Sequence, residues 1–127
     1  MNRPATVDID AEFLRRIYTG DDPGGFAQFV GDAAASPDFL VMACRPAALG
    51  IIEIRTSNYE LGKTAYGHVL SGDLDILRIG LKAAQLAGCQ HFLYPIAHDQ
   101  ANRAQLERVL MKRYHFAPYQ HLLLRRI

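Results

Sequence analysis

The chain has little with which to hold a metal, cross a membrane or cradle a phosphate. Only two cysteines occur in its 127 residues, Cys44 and Cys89, in separate apolar segments. No CxxC pair or Cys/His spacing accompanies them, so no zinc site is encoded. Two buried, reduced thiols are expected. The start, Met1 to Thr6, lacks the apolar core of an export signal, so a cytoplasmic address is the default and a disulfide is not expected. No apolar run approaches the ~20 residues of a membrane helix. Repeats and low-complexity tracts are absent. Glycine is scarce where a phosphorylated cofactor would need it. The turn His68-Val69-Leu70-Ser71-Gly72-Asp73 joins a predicted strand to a predicted helix and holds one glycine. Asp73 and Asp75 stand in the first helical turn, where they can cap the free N–H groups and repel a pyrophosphate.

What is present is an ordinary soluble domain. Half the residues are hydrophobic and 21% are charged, and the length suits one domain over residues 1–127. The net charge of +1 hides an uneven spread. Residues 1–40 carry seven acids against Arg3, Arg15 and Arg16, and residues 103–127 carry six bases against Glu107. Such polarity either steers an anionic partner or serves as a solvated face.

Helical spacing predicts a short helix over Asp10–Tyr18, capped by Asp8 or Asp10, and a second over Gly25–Ala35. The breakers Thr19 to Gly25 read as a loop between them. Phe39–Cys44 and Leu49–Thr56 read as strands joined by Arg45-Pro46-Ala47-Ala48, hence an antiparallel hairpin. Thr64–Leu70 reads as a third strand, in which Gly67 signals a bulge or a close backbone approach. Asp73–Ala87 is the clearest helix, with Gly88 as its stop and Gly80 as a point of close packing on the sheet. Gln90–Ile96 reads as a buried strand whose far end Pro95 demotes. Asn102 to Gln105 matches a capping box that opens a helix reaching Tyr114. Tyr119–Ile127 reads as a closing strand.

A strand, helix, strand run implies one parallel pair with a right-handed crossover. The fold class is therefore α/β (α+β), a mostly antiparallel sheet with helices on both faces and one central parallel strand pair.

That order resembles the GNAT superfamily of acyl-CoA N-acyltransferases. The resemblance spans Asp10 to Ile127, and Leu110-Met111-Lys112-Arg113-Tyr114-His115-Phe116 is similar to the family's ending of its last helix. The resemblance implies that acetyl-CoA lies at the strand-to-helix turn. Its carriers would be Leu70, Ser71, Gly72 and Asp73, with Asn102 opening the last helix. The family's basic-x-x-Gly-x-Gly positions fall on His68, Ser71 and Asp73 and do not match. Its general-acid tyrosine falls on Met111, and His115 replaces the glycine before Phe116. Short GNAT-like proteins of tailed phages, some linked to virion assembly and others acting on host proteins, are similar in their compressed N-terminal part.

Three residues are the candidates for chemistry. His68 lies on the central strand, and Glu53 on its neighbour is expected to face the same side. Either can serve as general base for an amine, because histidine already titrates near neutrality. Tyr114 lies three residues from Met111 and can stand in for the missing acid. Tyr66 and Tyr94 can line the cleft. His91, His98 and Asp99 meet no ligand spacing, so no metal is expected.

Three functional classes follow. In the first, a degenerate GNAT-fold protein binds a protein partner, as a phage assembly or host-takeover factor in the host cytoplasm, without a cofactor and with a homodimer as one arrangement. In the second, the domain is an acetyl-CoA-dependent N-acetyltransferase of a small-molecule or protein amine. In the weakest, the basic segment Arg103, Arg108, Lys112, Arg113, Arg125 and Arg126 contacts nucleic acid.

Overall fold

In a computed structural model of the chain, residues 9–44, 46–58, 60–72, 75–96 and 102–119 are described. The chain divides into two compact units, one running to Pro95 and the other starting at Ile96.

The first unit begins with α1 (Ala11–Ile17) and α2 (Pro23–Ala35). Asp10 caps α1 by accepting from the Phe13 N–H at 2.8 Å. Asp22 caps α2 by accepting from the Gly25 N–H at 2.9 Å. Pro23-Gly24-Gly25 therefore belongs to the helix, a correction to the loop expected there. Proline at N1 has no N–H to leave unbonded, so the breaker cluster opens the helix. Several acids of the N-terminal segment thus have local roles: two are caps, and Glu12 pairs with Arg16 at 3.0 Å.

Four strands follow in the order β1-β2-β3-β4: β1 (Phe39–Cys44), β2 (Ala48–Asn58), β3 (Gly62–Ser71) and β4 (His91–Leu93). The first three are antiparallel neighbours, and β3 pairs β4 in parallel. The crossover between β3 and β4 carries α3 (Asp75–Leu86). The expected mixed sheet with one parallel pair is present.

Strand periodicity divides the core. Leu49 and Ile51 face α1 and α2, packing with Phe13, Val30 and Ala33. Ile52 faces the other way, packing with Ala65 and with Ala84 of α3. A Cβ on Gly80 would stand 2.7 Å from Ile52 Cδ1, so glycine lets α3 sit close on the sheet. The turn after α3 fulfils its reading: Gly88 has φ +84. Lys63 Nζ donates to the Ala87 carbonyl at 2.6 Å, tying the helix end to the start of β3.

β4 is shorter than expected, three residues in place of seven. Pro95 lacks the N–H a parallel ladder needs, and pairing ends at Tyr66 with Leu93. The cysteines are free but half-buried, not fully buried as expected. Burial raises the Cys89 thiol pKa, and nearby Lys63 offsets part of that rise.

The second unit contains α4 (Arg103–Arg113). Asn102 stands at its N-cap, but its side chain closes no cap hydrogen bond, so the capping box does not form. The cap backbone, with ψ at 24°, is not extended as a capping side chain requires. Arg103 instead pairs with Glu107 at 2.8 Å, one turn apart. At the other end His115 adopts φ +60, the left-handed conformation that favours glycine. Most of the expected closing strand, from residue 120 on, lies outside the described residues.

Candidate functional site

The site forms where β2 and β3 slip out of register. Ile51 pairs with Val69, but the next residue, Ile52, pairs with Gly67. His68 is the extra residue of a β-bulge, one position from the Gly67 that signalled it. The bulge turns His68 and Val69 toward the same face. Val69 joins the core beneath α1 and α2. His68 meets the rings of Phe29 on α2, Phe39 on β1 and Tyr66 on β3 at centroid distances of 5.5, 5.6 and 4.8 Å.

Across the bulge lies Glu53. His68 Nε2 is 2.7 Å from Glu53 Oε1. Arg55, two residues along β2 and therefore on the same face, donates from Nη2 to the same oxygen at 3.1 Å. The Arg55 guanidinium also lies 4.0 Å above the centre of the Tyr66 ring. The pair is half-open: side-chain exposures are 24% for His68 and 26% for Glu53.

Partial burial alone would raise the Glu53 pKa. The hydrogen bonds from His68 and Arg55, with the positive charge of Arg55, outweigh that and hold the carboxyl below its ordinary value of 4.5. Glu53 is therefore an anion at neutral pH and can only accept. It follows that His68 Nε2 carries the proton in their bond, and in the neutral ring Nδ1 is the basic lone pair. A carboxylate that fixes a histidine tautomer and stabilises its imidazolium is a general-base arrangement.

Sequence reasoning placed Glu53 and His68 together, and the structure bonds them. Tyr66 lies on the same face, in the same cluster. Tyr94 follows β4, and burial raises its phenol pKa, so it stays protonated at neutral pH. Arg55 was not singled out, although its i, i+2 spacing from Glu53 carries the signal. Phe29 and Phe39 were not singled out either. Tyr114 belongs to the second unit, where it closes α4 with its N–H bonded to the Leu110 carbonyl at 3.2 Å. Asn102 heads the same helix.

The cofactor turn divides in two. Leu70 and Ser71 end β3, paired to Gly50 and Leu49 of β2. Gly72 has φ +102, and a Cβ there would lie 2.5 Å from the Ala47 carbonyl oxygen and 2.7 Å from Ala48 Cα. This glycine is already required by the close passage of the turn over the β1–β2 connection. Asp73 lies outside the described residues. Asp75 opens α3 and pairs with Arg78 one turn on.

The β3 main chain is better suited to a ligand than the turn. β4 ends at Leu93, while β3 continues five residues beyond Tyr66 to Ser71. Among the described residues no strand lies beside that extension on the β4 side. Among the described residues no group of three His, Cys, Asp or Glu is placed to hold a metal. No helix there is long and apolar enough to cross a membrane.

No family model matches the chain, and no curated protein does. Solved structures do. The apo aminoglycoside antibiotic 6'-N-acetyltransferase AAC(6')-IG from Acinetobacter haemolyticus superposes with a TM-score of 0.68 at 12% identity, over 92% of this chain and 88% of that one. The TTHA1254 protein of Thermus thermophilus, crystallised as a point mutant, gives 0.56 at 18% identity, over 94% and 93%. Identities this low establish architecture alone. The mixed sheet with its parallel β3–β4 pair, the crossover helix and these superpositions agree: this chain has a GNAT-like fold.

Proposed function

We propose that the protein is an acyl-CoA-dependent N-acyltransferase in which Glu53 and His68 form the base that deprotonates an amine. The observation that carries the reading is the 2.7 Å bond between His68 Nε2 and a carboxylate that is ionised at neutral pH. A protein that only presents a sheet edge to a partner does not need an ionised acceptor behind a half-buried histidine. That favours the enzyme over the partner-binding role expected from the acidic turn.

An alkylamine is an ammonium at neutral pH and cannot act as a nucleophile until it loses a proton. His68 Nδ1 accepts that proton. Glu53 accepts from Nε2–H throughout and stabilises the imidazolium formed. Phe29, Phe39 and Tyr66 wall the ring and restrict water around it. The coenzyme, when bound, supplies an activated acyl thioester. The peptide groups of β3 beyond Tyr66 would hold its pantetheine arm.

The test is thiol release from acetyl-CoA in the presence of a panel of primary amines. Amine-dependent release is expected, falling ~100-fold or more in kcat/KM for His68→Ala. Release that does not depend on the amine, or a variant as fast as wild type, refutes the proposal.

A further inference from the structure

The contacts of Arg55 go beyond setting the charge of Glu53. Its guanidinium lies on the face of Tyr66 at 4.0 Å and against Glu53 Oε1 at 3.1 Å. A carboxylate beside an aromatic face is how proteins bind cations from solution. Here the cation comes from the chain itself. The side chain of Arg55 is 42% exposed, so its hold on both partners is shared with water. Among the described residues both bonds to the carboxylate go to Oε1. Oε2 is thus open to a second donor.

We propose that Arg55 is an intramolecular stand-in for a substrate cation: Glu53 and the Tyr66 ring form a site that a cationic primary amine enters by displacing the Arg55 guanidinium. The displaced position lies at Glu53 Oε1, the oxygen that also accepts from His68 Nε2, so a cation seated there shares the carboxylate with His68. The proposal rests on the acyl-transfer reading for what happens to the amine, and it names the substrate class as cationic.

Binding is measured without coenzyme, so its outcome is separate from that of the activity assay. Agmatine, a small molecule carrying an ammonium and a guanidinium, is titrated into wild type and Arg55→Met, following the ring proton resonances of Tyr66 and His68. Methionine keeps an apolar stem over Tyr66 and removes the charge. Binding about fivefold tighter in Arg55→Met is expected, the equivalent of one exposed cation–π contact with one partly exposed ion pair. Adding Glu53→Gln to that variant should abolish the response. Equal or weaker binding in Arg55→Met, no response in either protein, or a response that survives Glu53→Gln overturns the proposal. If amine-dependent acyl transfer is nevertheless observed, only the Arg55 proposal has failed.

Discussion

Replacing Gly72 with alanine separates two reasons for a glycine at this turn. A glycine kept for a phosphate leaves empty space in the unliganded protein, and a methyl group there costs little. The structure gives the other reason. Gly72 has φ +102, where an L-residue is strained by about 1–3 kcal/mol. The new Cβ would also lie 2.5 Å from the Ala47 carbonyl oxygen and 2.7 Å from Ala48 Cα, both backbone atoms of a tight connection. Neither can rotate away, so the strands must part locally, at a further ~1–3 kcal/mol. The central value for Gly72→Ala is a loss of about 4 kcal/mol. At roughly 4 °C per kcal/mol for a chain of this size, the melting temperature falls by about 16 °C. Thermal unfolding without any ligand measures it. A melting temperature within about 3 °C of wild type refutes the packing explanation and returns the glycine to the cofactor. The same reasoning warns that loss of acetyl-CoA binding on bulky substitution at Gly72 would report unfolding.

Other outcomes follow from the same geometry. His115→Gly relieves a left-handed residue at the end of α4 and should stabilise by about 0.5–1 kcal/mol in urea unfolding; an unchanged midpoint contradicts the strain. The Glu53 carboxyl binds its proton more weakly folded than unfolded, so its stabilising contribution is complete above pH 4.5 and is lost as pH falls through the lower folded value. Glu53→Gln should therefore flatten part of the stability profile below pH 4.5, and a profile parallel to wild type there excludes the coupling.

Legibility in the sequence followed the range of the interactions. Helix caps, breakers and the β1–β2 hairpin depend on residues a few positions apart, and Asp10, Gly80 and Gly88 do what their local chemistry suggested. The exceptions have local causes too. Pro23 opens α2 because Asp22 caps it, and Asn102 does not close its capping box because its backbone is not extended. Glu53 and His68 were legible as neighbours because both lie on adjacent strands. Their bond was not, because it depends on one inserted residue in the β2–β3 register. Gly67 announced a bulge without saying which residue it would expose. Arg55 was missed because a charge at the end of an alternating strand reads as solvated surface until Tyr66 is placed beneath it. The cofactor turn was read from its scarce glycine and its acids, and the close passage of Gly72 over Ala47 and Ala48 carried no sequence signal.

The central claim is that the Glu53 carboxylate takes the Nε2–H of His68 and leaves Nδ1 as the base. Two-bond proton–nitrogen correlation spectra of the histidine rings, recorded near pH ~9 where an ordinary imidazole is neutral, test it directly. The account predicts the Nε2–H tautomer for His68 in the folded protein. A ring protonated at Nδ1 would contradict it.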